Sequence, residues 1–340
     1  MKVLIAGLGS IGRRHLKNLI TLGVKDILLL RSHQSSLPDD ELLNLPVVND
    51  IQSALAFQPE AVVISNPTAL HLDVAIPAAE SGCHLFLEKP ISHSMQRIEA
   101  LRSAVQRGGG QVYVGFQFRF HPGLQQVKRL LAEEAIGKPI SAHAHYGEYL
   151  PSWHPWEDYR QGYSARAELG GGVILTLCHP LDYLRWFFGE VVTLWAFAGK
   201  LSELEIAVED TAEIGLRFES GLLTGVHLDY VQRPTAHWLE IIGAAGTIRW
   251  DNADGTTRLY RAAVGEWEIF PAPQGFERNN LFLEQMRHFL AVARGEAQPA
   301  CTLEDGVRAL EIAQAARRSA ETGSIIRLGK TSERPYTREN

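Results

Sequence analysis

The stretch Gly7-Leu8-Gly9-Ser10-Ile11-Gly12 follows the apolar run Lys2–Ala6 and opens a segment in which Leu16, Leu19 and Ile20 keep helical spacing. A strand that turns through glycines into a helix begins a parallel α/β sheet built to receive a dinucleotide. Gly7 permits the tight turn, Gly9 lets the backbone approach a pyrophosphate, and Gly12 lets the helix lie close on the strand. Ser10 and Ile11 fall at the helix N-terminus, where free N–H groups and the dipole favour phosphate.

The segments that follow keep this rhythm. Ile27–Leu30, Ala61–Ile64, Leu85–Leu87 and Gln111–Gly115 are short apolar strands. Between them, helices are expected over Leu70–Ser81 and Met95–Arg107, the latter ending at Gly108-Gly109-Gly110. Unalternating apolar strands separated by helices imply a doubly wound parallel sheet covered on both faces, a Rossmann domain assigned to residues 1–120.

Beyond Arg119–His121 the pattern changes. A helix is expected over Leu124–Leu131, a polar and aromatic loop over Tyr149–Ser164, and one continuous helix over Ile174–Phe188. Val191–Ala198, Ala212–Phe218, Leu222–Leu228, Trp238–Ile242, Thr247–Trp250 and Thr257–Leu259 then read as neighbouring strands with short turns. Leu281–Val292 and Val307–Ala320 read as closing helices. This is an α+β domain, residues 121–330, with an open and mainly antiparallel sheet. Residues 331–340 form a polar tail.

With 340 residues, two domains are expected, and a net charge of −6 argues against nucleic-acid or anionic-membrane partners. No run approaches the length of a membrane span, and the N-terminus lacks the features of a signal peptide. Cys83, Cys178 and Cys301 show neither zinc nor redox spacing, which suits reduced thiols and a cytoplasmic location. His143 and His145 alternate onto one strand face, but two ligands do not make a metal site, and none is expected.

The end of the second strand bears on cofactor choice. An acid there would bind the ribose 2′-hydroxyl of NAD; this chain has Leu30-Arg31-Ser32-His33 instead. Arg31 and Ser32 suit a 2′-phosphate, so NADP is expected to be preferred over NAD.

Further motifs follow in order: Ser65-Asn66-Pro67 with His71, Glu88-Lys89-Pro90, Gly115-Phe116-Gln117-Phe118-Arg119-Phe120, and Gly170-Gly171-Gly172 before His179-Pro180-Leu181-Asp182. On these motifs, over about residues 2–328, the chain resembles the Gfo/Idh/MocA oxidoreductases. The resemblance implies a hydride transfer between nicotinamide and a carbinol or carbonyl of a sugar, an inositol or a sugar derivative. It also implies a homodimer or homotetramer formed through the sheet of the second domain. It places Ser65, Asn66, Pro67 and His71 near the nicotinamide half of the cofactor, with Glu88 and Lys89 beside the ring.

Carbinol oxidation needs a group that holds the oxygen and a group that takes its proton. Lys89 suits the first role. His179 suits the second because its ordinary pKa lies near working pH, and Asp182 shares its helix face. Many relatives carry an Asp where this chain has Thr176, so the Lys–Asp–His arrangement is incomplete. Gln117 and Arg119 are expected to face the cleft, with Arg119 toward the cofactor. Tyr149, Trp153, Tyr159, Arg160 and Tyr163, with Thr176, are expected around a polyhydroxylated substrate. Two other functions fit the same residues: a non-catalytic NADP-binding regulator, and a glycoside hydrolase that uses retained NAD for transient oxidation.

Overall fold

A computed structural model describes residues 1–31, 42 and 45–329 of the chain. Ser32 and the tail 331–340 lie outside the described residues. The first layer runs β1 (Lys2–Ala6), α1 (Ser10–Thr21), β2 (Asp26–Leu30), β3 (Val47–Val48), α2 (Ile51–Ala56), β4 (Ala61–Ile64), α3 (His71–Glu80), β5 (His84–Leu87), α4 (Ile98–Gly108) and β6 (Val112–Val114). Among the described residues these strands form a parallel sheet in the order β3-β2-β1-β4-β5-β6. The order reverses between β1 and β4, so the loops after their C-terminal ends part and leave a crevice there.

The second layer runs α5 (Pro122–Ala132), β7 (Pro139–Gly147), α6 (Val173–Thr176), α7 (His179–Phe188), β8 (Val191–Gly199), β9 (Thr211–Phe218), β10 (Leu223–Asp229), β11 (Ala236–Gly243), β12 (Gly246–Asp251), β13 (Thr256–Arg261), β14 (Trp267–Phe270), α8 (Arg278–Ala293), α9 (Leu303–Thr322) and β15 (Ile326–Arg327). Its sheet has the order β14-β13-β12-β11-β7-β10-β9-β8-β15. The pairing is antiparallel throughout except where β10 meets β7 in parallel. Period-two patterning is clear in β7: Ala142, Ala144 and Tyr146 are buried, while His143 and His145 face the other way.

The closing helices do more than cap the second domain. Met286, Phe289 and Leu290 of α8 pack with Phe86 and Tyr113 on one face of the Rossmann sheet. α9 lies in the core shared by both sheets, with Val307, Leu310 and Ala313 fully buried. Gly306 is small because α9 passes close to Ile91 and Val114, where a Cβ would lie 2.7 Å and 2.9 Å from their methyl groups.

One helix differs from expectation. The segment 174–188 is broken, and α6 ends at Thr176 before α7 begins at His179. Pro180 is the cause. Its ring has no N–H and would clash with the carbonyl four residues earlier, which is that of Thr176. The break leaves the Thr176 carbonyl free to accept another donor.

Candidate active site

The glycine turn is built as its spacing implies. Gly7 has φ +90° and donates its N–H to the Leu30 carbonyl at 3.1 Å. A Cβ on Gly7 would strike the Asn66 backbone, and one on Gly12 would strike the Gly7 carbonyl. Gly9 differs: nothing lies within 4 Å of where its Cβ would be. Open space over Gly9, beside a helix N-terminus with no acid in its first turn, fits a dinucleotide diphosphate at Gly9, Ser10 and Ile11. Arg31, at the end of β2, is buried and donates its backbone N–H to Val48.

Several residues expected at the cofactor are committed to the protein instead. Ser65 Oγ donates to the Gly7 carbonyl at 2.9 Å, so it braces the glycine turn. His71 is buried and donates Nε2–H to the Asn66 carbonyl at 2.9 Å. Burial pulls its pKa down to about 4, against that hydrogen bond, and the ring is neutral. Asn66 donates its side-chain amide to Leu70 O at 3.1 Å, and Pro67 leads the turn 68–70. Glu88 is paired within the protein. Its Oε1 lies 2.7 Å from Nε2 of the fully buried His15, because that imidazole on α1 needs a polar partner.

Lys89 is half-buried and does not pair with the Glu88 carboxylate through its ammonium. Its Nζ donates to the Thr176 carbonyl at 2.7 Å. The bond reaches from the end of β5 to the free end of α6, so the lysine of the first domain stands beside His179 of the second.

His179 opens α7 and is buried. Gln117 donates its amide N–H to His179 Nε2 at 3.2 Å, while Nδ1 is buried without a hydrogen-bond partner. Phe116 and Phe118 pack edge-on to the ring at 5.7 Å and 4.8 Å. Burial, reinforced by the charge of Lys89, pushes the imidazole well below its ordinary pKa. It is a neutral imidazole, not the near-neutral titrating group expected from an unperturbed histidine.

Asp182 does not orient His179. Its carboxylate receives Arg119 Nη2–H at 2.6 Å and Nε–H at 3.0 Å, and both residues are buried. Arg119 also donates to the Ala300 carbonyl at 2.7 Å and approaches Asp305 at 3.3 Å. A buried guanidinium needs this enclosure of acceptors. Arg119 is thus held among Asp182, Ala300 and Asp305. Burial raises the Asp182 pKa, and Arg119 opposes the rise.

The aromatic loop is similarly divided. Tyr159 accepts the Glu205 N–H at 3.1 Å, and Arg160 is held by Asp158 at 2.7 Å and Glu205 at 2.5 Å. These contacts bring both side chains to Glu205. Tyr163 is exposed. Tyr149 lies under the Arg233 guanidinium at 4.1 Å, and Trp153 packs edge-on to Tyr230 at 5.5 Å.

Glu148, directly after β7, escapes the sequence reading. Burial raises its carboxyl pKa, while Arg278, the Tyr146 hydroxyl and Lys89 pull the other way. Tyr146 lies 6.2 Å from His179 between ring centroids. The available signal was the alternation Ala142, Ala144, Tyr146, which marks a strand delivering its next residue to the loop end of the sheet.

Residues 1–116 match the oxidoreductase family described as an NAD-binding Rossmann fold, and residues 124–249 match the GFO/IDH/MocA C-terminal domain. Myo-inositol 2-dehydrogenase from Thermotoga maritima is 27% identical over 345 residues, 96% of this chain and 98% of that protein. The 1,5-anhydro-D-fructose reductase of Ensifer adhaerens is 29% identical over 280 residues, 79% of this chain and 80% of its own. Among solved structures, levoglucosan dehydrogenase in complex with NADH superposes with a TM-score of 0.85 at 19% identity, covering 97% of this chain and 99% of that one. The chain belongs to the GFO/IDH/MocA family of NAD-binding oxidoreductases.

Proposed function

We propose that this oxidoreductase acts on a carbinol or carbonyl of a sugar, an inositol or a related polyol, with Lys89 and His179 as its reacting pair. The observation that carries this is the meeting of Lys89 Nζ with the Thr176 carbonyl, one helix break before His179. The backbone of Gly9, Ser10 and Ile11 would hold the cofactor diphosphate, and a bound nicotinamide supplies or accepts the hydride. Lys89, as an ammonium, hydrogen-bonds the substrate oxygen and stabilises negative charge that develops there. His179 exchanges the carbinol proton. Its low basicity in the free site rises as that negative charge forms beside it, since a nearby anion favours the imidazolium. Glu148 supplies the negative charge that Thr176 lacks. Tyr149, Trp153 and Tyr163 are the aromatic loop residues proposed for a sugar face, because Tyr159 is engaged with Glu205.

NADP is proposed as the preferred cofactor, since the end of β2 carries Arg31 and no carboxylate. Arg31→Ala should weaken NADP more than NAD. The proposed division into residues 1–120 and 121–330 is supported by the change of sheet type after β6. A homo-oligomer through the second sheet is supported by exposed Trp195, Phe197, Leu223, Trp267 and Ile269 on its strands. Cys83, Cys178 and Cys301 are buried free thiols, which supports a reducing, cytoplasmic location. No helix among the described residues is long and apolar enough to cross a membrane.

The test is turnover of NAD or NADP with a panel of inositols, aldoses and uronates, followed by nicotinamide absorbance. Thr176 in place of an acid favours a second reading, a cofactor-binding protein without turnover. Binding of both nucleotides with no reaction across the panel would support it.

A further inference from the structure

Sequence alone offers only His143 and His145 as paired histidines, and the fold separates them. His143 faces Gly225, where a Cβ would lie 3.1 Å from its Nδ1. His145 meets a different set of groups, because β10 lies parallel beside β7 with His227 opposite His145. The two imidazoles stack at 4.5 Å with 16° between their planes. Two residues further along β10, Asp229 turns its carboxylate toward both rings. Its Oδ2 lies 3.1 Å from His227 Nε2 and 3.8 Å from His145 Nε2.

We propose that His145, His227 and Asp229 form a binding site for a divalent transition-metal ion of the zinc class, on the sheet face opposite the reacting pair. One atom from each residue lies within 4.8 Å of the others. Ligand atoms around a tetrahedral zinc, with bonds of about 2.0–2.1 Å, stand about 3.3–3.4 Å apart. The two distances to Asp229 Oδ2 bracket that value, and closure onto an ion needs the stacked His145 and His227 rings to rotate so that both Nε2 lone pairs meet it.

Three features indicate a built arrangement. Gly147 has no side chain where Asp229 Oδ2 lies, and a Cβ there would collide with it. The other carboxylate oxygen, Oδ1, accepts the backbone N–H groups of Val231 and Gln232 at 2.7 Å and 2.5 Å, which fixes the carboxylate in place. Glu213 Oε1 lies 2.6 Å from His227 Nδ1. If Glu213 takes the Nδ1 proton, the Nε2 lone pair faces Asp229, the arrangement of carboxylate–histidine–metal sites. Two carboxylates converge on two imidazoles, and a divalent cation balances them. His145 Nε2 is buried without a hydrogen-bond partner, and its ring lies flat against Trp238 at 5.5 Å, with Gln232 also close to it. The set of two histidines and one carboxylate leaves a further position for water.

The test uses the full chain without an affinity tag, stripped of metal and titrated at a pH above the ordinary histidine range. Zn²⁺ binding is read by calorimetry, and Co²⁺ by its visible ligand-field bands. One equivalent per chain is expected, with the band intensity of a four-coordinate ion. His145→Phe keeps the stacking on Trp238 and should abolish the Co²⁺ bands. Glu213→Gln leaves all three ligands in place and should weaken Zn²⁺ by about 10–100-fold. Circular dichroism confirms that each variant is folded, and Glu213→Gln, on the exposed face, tests the site if His145→Phe does not fold. Failure of the wild-type chain to take up one equivalent overturns the proposal. So does stoichiometric binding that neither variant weakens, because the ion would then lie elsewhere.

Discussion

The ammonium of Lys89 donates to the Thr176 carbonyl at 2.7 Å, and that carbonyl is free because Pro180 interrupts the helix four residues later. One proline thus links the Rossmann layer to the helix that carries His179. It also fixes the lysine at the backbone of Thr176.

If Glu148 supplies the missing charge, Glu148→Gln should lower turnover by about 10²-fold, the low end of the range for acid–base groups. Burial raises the carboxyl of Glu148, so wild-type turnover should fall as pH drops through its raised pKa. The variant should lose that acid limb. A pH–rate profile of kcat identical in both proteins would remove Glu148 from the mechanism.

The glycines should separate by function. Gly9 has φ −69° and open space around it, so Gly9→Val should leave Tm nearly unchanged while weakening nucleotide binding. Gly12→Ala should instead lower Tm, because its Cβ meets the Gly7 carbonyl. Thermal melts with and without NADPH check both variants. A Gly9→Val protein that binds normally would contradict the assigned diphosphate position.

Asp182 and Arg119 should behave as a structural pair. Asp182→Asn leaves the buried guanidinium with only Asp305 as counter-charge and should cost about 3 kcal/mol. The double variant Asp182→Leu/Arg119→Met should lose less than Asp182→Asn alone, as buried pairs replaced together usually do. Urea unfolding measures this. If Asp182→Asn kept full stability and lost only activity, Asp182 would return to the catalytic group.

Buried neutral histidines make the fold acid-sensitive. Burial lowers His71 and His121 from 6.5 to about 4. Between those values the unfolded chain binds protons that the folded chain refuses. Each histidine therefore contributes stability above pH 6.5 that is lost progressively as pH falls toward 4, up to about 3 kcal/mol apiece. Urea midpoints at pH 7 and pH 5 should differ in that direction, and the His71→Asn variant should show a smaller difference.

Five strands of the Rossmann layer were legible as short apolar runs and the glycine turn leaves a local imprint, but β3, two residues long, was not. In the second sheet β8 to β13 were legible, but β14 and β15 were not, and neither was the parallel β7–β10 contact, since period-two patterning carries no information about which strand lies alongside. The helix break at Leu177–Cys178 was available in Pro180, although helical spacing of apolar residues masked it. Among site residues, Lys89 and Gln117 meet His179 as a cleft reading implies. Asp182, Arg119 and Glu88 went elsewhere because buried charges choose partners across the fold, and no sequence spacing records those partners.

The most direct test of the central claim compares wild type with Lys89→Ala, reading nucleotide affinity by fluorescence and turnover on the best polyol of the panel by nicotinamide absorbance. The account predicts equal affinity and a loss of turnover of about 10²–10⁴-fold. Turnover unchanged in Lys89→Ala, with a wild-type enzyme that is active, would contradict it.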